Sequence, residues 1–151
     1  MAQALNALVV DDERLARKDL ISLLGAHEHI TVVGEADDVP SAVKAIKKLN
    51  PDVIFLDIQM PGDSGFDLLD RTEVEAPIVF VTAYDEYAIR AFEVNALDYL
   101  LKPVDPERLA KALEKLELQE QETVARTRRL DYSDRLFLML GRNFKFLKVN
   151  S

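Results

Sequence analysis

Hydrophobic positions fall into five short strand-like stretches separated by helix-like ones. The clearest is Val53-Ile54-Phe55-Leu56, four apolar residues running straight into Asp57, with a Pro61-Gly62 turn soon after. An uninterrupted apolar run of this length suits a strand buried on both faces, as in a parallel sheet covered by helices. Ala4 to Val10 ends in Asp11-Asp12-Glu13, and Thr31 to Ala36 in Asp37-Asp38. Pro77 to Val81 ends in Thr82-Ala83, and Leu97 to Leu101 in Lys102-Pro103.

The intervening segments repeat their apolar residues at helical spacing. Arg14 to Leu24 carries Leu20, Leu23 and Leu24 and stops at Gly25. From Pro40 to Leu49, Val43, Ile46 and Leu49 share one face, Lys44, Lys47 and Lys48 face water, and Asn50-Pro51 ends the run. Phe66 to about Arg71 predicts a short helix, and 85–94 another with Ala88, Ile89 and Phe92 inward. Asp105-Pro106, a cap followed by proline at the first helical position, opens a last helix. Its stripe is Leu109, Leu113 and Leu116, and it runs on past Gln121.

Five strands alternating with five helices predict βαβ units, right-handed crossovers and a doubly wound parallel α/β sheet. All strand carboxyl ends then face one side, where open α/β sheets place their ligand crevices. Asp11, Asp12, Asp57, Thr82 and Lys102, from four distant stretches, should meet there. Helix capping explains any one of these residues but not the set.

Composition narrows the chemistry. A chain of 151 residues with 48% hydrophobic and 30% charged residues fits one globular domain and part of another. It has no cysteine, so disulfides and thiolate metal sites are excluded. No apolar run reaches membrane-spanning length and no signal-peptide pattern opens the chain, so a cytoplasmic location without membrane contact is expected. His27 and His29 read as surface loop residues, since no third nitrogen or sulfur ligand accompanies them. The net charge of -8 divides into -13 over residues 1–123 and +5 over 124–151. That asymmetry fits either an acidic body followed by the beginning of something different, or a solvated helix end and a basic hairpin.

The expected crevice holds three carboxylates, a hydroxyl and an ammonium. Clustered carboxylates repel, and a hard divalent cation with oxygen ligands relieves them; magnesium suits a few carboxylates completed by waters and phosphate oxygens. An aspartate can also act as a nucleophile toward phosphorus. Phosphoryl transfer needs mainly positioning and charge neutralisation, which Lys102, Thr82 and such a cation would supply.

These residues resemble the receiver domain of two-component response regulators, the CheY-like, flavodoxin-like fold. The carrying motifs are Val9-Val10-Asp11-Asp12-Glu13, Leu56-Asp57-Ile58-Gln59-Met60-Pro61, Val81-Thr82-Ala83 and Tyr99-Leu100-Leu101-Lys102-Pro103, spanning about residues 5–120. The resemblance implies Asp57 as phosphoacceptor. It implies magnesium held by Asp11, Asp12, Asp57 and the Gln59 backbone carbonyl. Thr82 and Lys102 would contact the phosphoryl group, Thr82 and Tyr99 would switch, and Lys102-Pro103 would be cis. Ser64 stands where the family commonly has aspartate, which bears on loop geometry more than on chemistry.

Thr82-Ala83-Tyr84-Asp85-Glu86-Tyr87-Ala88 and Ala91 to Tyr99 resemble the LytTR type of regulator, whose output domain is a DNA-binding β-fold. Residues 135–149 read as a hairpin like the opening strands of that domain. Two strands bury too little surface to fold alone. The implied organisation is a receiver at 1–122, then a linker and the truncated start of an output domain at 123–151. The other reading makes the tail disordered or packed on the helix. The implied partners are a sensor histidine kinase, DNA in the full-length protein only, and a second copy through helix 85–94, strand 97–101 and helix 105–120.

Two other functions compete with the phosphorylation switch. One is a phosphatase or phosphotransferase with an aspartate nucleophile. Such enzymes usually place a second acid two residues further on, and here that residue is Gln59. The other is a receiver that binds partners without phosphorylation. On the resemblance the chain is not an enzyme beyond slow self-phosphorylation and self-hydrolysis.

Overall fold

The computed structural model describes backbone for residues 4–129 and side chains through residue 122. The hairpin expected at 135–149 lies outside the described residues. The chain divides into two units, 1–116 and 117–151; of the second, only the continuation of the last helix to Arg129 is described.

In the first unit, strands β1 (Leu5–Val10), β2 (Ile30–Ala36), β3 (Val53–Leu56), β4 (Ile78–Thr82) and β5 (Asp98–Leu101) form one sheet. Its order is β2-β1-β3-β4-β5, and every pairing is parallel. Helices α1 (Arg14–Leu24), α2 (Val39–Leu49), α3 (Gly65–Arg71), α4 (Ala88–Glu93) and α5 (Pro106–Arg129) alternate with the strands. A two-residue antiparallel ladder, Gln59–Met60 with Asp63–Ser64, lies between β3 and α3. The doubly wound sheet is the one the alternation predicts.

Both faces of the central strands β3 and β4 are dry, which is why Val53 to Leu56 and Ile78 to Val81 are apolar without interruption. Ala7, Val9, Val53, Phe55, Val79, Val81 and Leu100 pack with Leu20 and Leu24 of α1 and Leu109, Ala112, Leu113 and Leu116 of α5. Their strand neighbours Leu8, Val10, Ile54, Leu56, Ile78 and Phe80 pack on the other side with Val39, Ala42, Phe66, Leu68 and Ala91. Successive side chains point to opposite faces, so a four-residue run supplies two cores.

Local signals set the element ends. Asp38 caps α2 by accepting from the Ser41 N–H at 2.8 Å and the Ser41 hydroxyl at 2.6 Å. Asn50, at φ 46°, closes that helix in the left-handed region. Ser64 caps α3, accepting from the Phe66 N–H at 3.1 Å while its own N–H donates to Asp67 at 2.7 Å. The departure from the common aspartate therefore places a good capping residue at that turn.

Helix α4 corrects the sequence expectation. It begins at Ala88 rather than 85, and Ala88, Ile89 and Phe92 face outward, Ile89 at 76% and Phe92 at 83% exposure. Ala91 is its buried residue, one turn after the half-buried Tyr87. Apolar residues occupy several sides of this segment, so periodicity alone could not select the inward one. Aromatic rings take the space beneath. Phe66 lies 4.9 Å from Phe80 and 6.3 Å from Tyr87, leaving room on the helix for alanine.

Candidate functional site

Strand register brings the acids together. Val10 of β1 pairs with Leu56 of β3, so the next residues, Asp11 and Asp57, leave the sheet side by side. The Asp57 N–H donates to the Val10 carbonyl at 2.9 Å. Thr82 of β4 pairs with Leu101 of β5, and the following Lys102 N–H donates to the Thr82 carbonyl at 2.8 Å. Four strand ends thus deliver their polar residues to one crevice, as parallel topology requires.

Asp11, Asp12 and Asp57 place carboxylate oxygens within 4.8 Å of one another. Lys102 Nζ lies among them, 2.6 Å from Asp11 Oδ2, 3.1 Å from Asp57 Oδ2 and 3.7 Å from Glu13 Oε1. Capping does not account for these acids. The residue before α1 is Glu13, whose side chain makes no cap bond, and α3 is capped by Ser64. Asp57 Oδ1 instead accepts from the Ile58 N–H at 2.7 Å.

The electrostatics follow from burial and crowding. Burial, then the Asp11 charge, push the Asp57 carboxyl up to about 6 against the pull of Lys102 and the Ile58 N–H. Burial, with Asp11 beside it, also raises Asp12. Burial alone would lower Lys102, but the hydrogen bond to Asp11 and the nearby Asp57 charge hold it above the ordinary lysine value. Four carboxylates about one ammonium leave an excess of negative charge. A hard divalent cation with oxygen ligands fits that excess, and no soft ligand is present.

The other expected site residues, Thr82, Tyr99 and Gln59, make their side-chain hydrogen bonds to Tyr84 and Tyr87 rather than to the three carboxylates. Thr82 is fully buried, and its Oγ1 accepts a 3.4 Å bond from the Tyr84 N–H; no hydrogen bond joins it to Asp57. Tyr99 is half-buried, with its ring centroid 6.4 Å from that of Phe80 and its hydroxyl donating to the Tyr84 carbonyl. Gln59 is exposed, and its side-chain amide donates to the Tyr87 hydroxyl at 2.8 Å. The Lys102–Pro103 bond is cis.

Sequence reasoning missed two contributors to the crevice, Arg17 and Gly65, and one anchor away from it, Asp98. Arg17, on α1, donates from Nη1 to the Asp11 backbone carbonyl at 2.7 Å and from Nε to Glu35 at 3.0 Å. Asp98, the first residue of β5, is gripped by both Arg108 terminal nitrogens at 2.6 and 2.9 Å and by Lys115 at 3.2 Å. Burial pushes the Asp98 carboxyl up, but the hydrogen bonds from Arg108, the Tyr99 N–H and Lys115, with the Arg108 charge, together hold it below the ordinary carboxylate value. Gly65 packs its backbone against Asp57; an added Cβ would lie 2.3 Å from the Asp57 carbonyl oxygen. The one sequence sign of the Asp98 contact was a carboxylate inside a buried-strand pattern.

A doubly wound five-stranded sheet with an acidic crevice and a lysine at its carboxyl edge defines a receiver-type α/β protein. Residues 7–114 match the family model for the response regulator receiver domain, and the chain belongs to that family. The transcriptional regulatory protein BtsR of Salmonella typhi is 50% identical over 114 residues, 74% of this chain and 48% of that one. The sensory transduction protein LytT of Bacillus anthracis is 47% identical over 123 residues, 80% of this chain and 50% of that one. Among solved structures, the response regulatory domain of protein mrkE from Klebsiella pneumoniae is 35% identical with a TM-score of 0.70, covering 78% of this chain and 98% of that one. The chain spans about half the length of the curated relatives it matches.

Proposed function

We propose that this chain is the phosphoacceptor part of a two-component response regulator and that Asp57 takes the phosphoryl group from a sensor histidine kinase. The observation that carries this is Lys102 Nζ set between Asp11 and Asp57 at 2.6 and 3.1 Å, at the carboxyl edge of a parallel sheet. An Asp57 oxygen attacks phosphorus. A P–O bond forms, the P–N bond of the phosphohistidine breaks, and its electron pair stays on the imidazole nitrogen. Asp11, Asp12, Asp57 and the Gln59 carbonyl would hold magnesium, which when bound neutralises phosphoryl oxygens. Lys102 exchanges part of its hold on Asp57 for a phosphoryl oxygen, and the Thr82 hydroxyl turns from the Tyr84 N–H toward another. Gln59 has no proton-transfer capacity, so the site holds its phosphoryl group rather than turning over substrate.

The switch is conformational. Moving Thr82 releases Tyr84, whose carbonyl receives the Tyr99 hydroxyl, and so repositions Tyr99 and α4. The α4–β5 face carries exposed Ile89, Phe92 and Leu101, an apolar surface suited to a second copy of the chain. Dimerisation there would promote DNA binding by a full-length, LytTR-type transcription regulator in the cytoplasm. The names of LytT and BtsR support that reading. Among the described residues no helix is long and apolar enough to cross a membrane.

Intact mass after incubation with acetyl phosphate and magnesium tests the site. The expected result is one phosphoryl adduct that needs magnesium and vanishes in Asp57→Asn. Absence of an adduct on folded wild type, under conditions that trap slow hydrolysis, would instead favour a receiver that binds partners without phosphorylation.

A further inference from the structure

Asp11 is held at each of its polar groups. Its N–H donates to the Ala36 carbonyl at 3.0 Å, Oδ1 accepts from the Glu13 N–H at 2.9 Å, and Oδ2 meets Lys102 at 2.6 Å. Its carbonyl accepts from Arg17 Nη1 at 2.7 Å. That last bond reaches beyond Asp11. A peptide unit is planar, so the Asp11 carbonyl and the Asp12 N–H share one plane. Fixing the direction of the carbonyl fixes the axis from which Asp12 departs.

Arg17 is itself braced. It sits one turn into α1, its N–H donating to the Glu13 carbonyl at 3.0 Å, and its side chain is only 14% exposed. Nε donates at 3.0 Å to Glu35, which pairs with Val9 in the β1–β2 register. The guanidinium therefore ties the end of β2 to the loop that carries the acids. A planar fork can make both bonds at once, which a lysine ammonium on its single stem does less well.

We propose that Arg17 is a positioning residue for the acidic crevice: it holds the Asp11–Asp12 peptide so that the Asp12 carboxylate lies beside Asp57, and thereby sets the affinity for a divalent cation. This rests on the crevice being a cation-assisted phosphoacceptor site. The cation's repulsion-relieving role needs three carboxylates close together. Lys102 neutralises Asp11 and Asp57 directly, whereas Asp12 depends on its backbone for its place.

The test uses the whole chain as wild type, Arg17→Ala, Arg17→Lys and Glu35→Gln. Magnesium binding is titrated by NMR amide shifts without any phosphodonor, and acetyl phosphate uptake is then followed across magnesium concentrations. In Arg17→Ala the half-saturating magnesium concentration should rise about tenfold, the scale seen when a group supporting metal ligands is removed. Arg17→Lys should fall between, and Glu35→Gln should shift less in the same direction. At saturating magnesium, uptake should return to near the wild-type rate. Unchanged magnesium binding in folded Arg17→Ala overturns the proposal, as does a loss of uptake that saturating magnesium does not restore. If Arg17→Ala does not fold, the other two variants decide: no shift in either overturns it. A wild type whose magnesium binding depends on Arg17 but which accepts no phosphoryl group overturns the phosphoacceptor reading and leaves the positioning role standing. A folded wild type that binds no magnesium overturns the positioning role.

Discussion

Adding one methyl group at Gly65 should destabilise the receiver far more than adding one at Gly34. At Gly65 the new Cβ would lie 2.3 Å from the Asp57 carbonyl oxygen, 3.2 Å from its carbonyl carbon and 3.1 Å from Leu56 Cγ. Two of those atoms are backbone at the end of β3, and Gly65 is tied there by its own N–H, which donates to the Ile58 carbonyl at 2.7 Å. Neither side can yield without moving α3 or the Asp57 loop. Overpacking costs about 1–3 kcal/mol where side chains can adjust, and backbone against backbone belongs at or above the top of that range. Against it stands about 0.5–1 kcal/mol that alanine gains over glycine in a helix. The net expectation for Gly65→Ala is about 2 kcal/mol or more, a loss of roughly 8 °C or more in a domain of this size. At Gly34 the closest contact, 2.6 Å, is Leu49 Cδ1, the end of a flexible side chain that can rotate away. Gly34→Ala should therefore cost about 1 kcal/mol or less. Urea and thermal unfolding followed by circular dichroism measure both. Gly65→Ala within 0.5 kcal/mol of wild type, or less destabilised than Gly34→Ala, would refute the close-approach reasoning (~0.5 being the usual scatter of neutral substitutions).

Three further outcomes follow from the site and its surroundings. Asp98→Asn should cost about 2 kcal/mol, since it strips charge from a buried acceptor of Arg108 and Lys115. Because the folded Asp98 carboxyl is lowered, its stabilisation is present above the unfolded value of about 3.9 and is lost as pH falls through the lower folded value. The gap between wild type and variant should close in acid unfolding series below about pH 4; a gap independent of pH would contradict this. Lys102→Met removes the cation between Asp11 and Asp57, so the Asp57 carboxyl should titrate above its present value of about 6 in magnesium-free buffer, read by carboxyl-carbon NMR. Phe92→Asp alters a side chain 83% exposed, so thermal stability should stay within about 0.5 kcal/mol while sedimentation shows weaker beryllofluoride-driven self-association.

The sheet was legible because its central strands are buried on both faces: Val53 to Leu56 could alternate between two dry cores only by being apolar throughout. The gathering of Asp11, Asp12, Asp57 and Lys102 was legible for a related reason. Parallel strands joined by helices place every carboxyl end on one side, so residues distant in the chain become neighbours without any contact being known. The inward side of α4 was not legible, since apolar residues lie around much of that short segment. Only the rings of Phe66, Phe80 and Tyr87 decided that Ala91 goes in and Phe92 stays out.

By itself, then, the sequence determined the layer order, the edge that carries the chemistry and the acids that gather there, because binary pattern and chain connectivity are local properties with global consequences. The tertiary structure decided how those acids are held and how β5 is tied to α5. Arg17 bonds a backbone carbonyl, Gly65 presses on another, and Asp98 finds Arg108 and Lys115 across the β5–α5 packing. A carbonyl carries no side-chain identity, and a close approach leaves no mark but a glycine, so such contacts are set by three-dimensional packing and not by pattern.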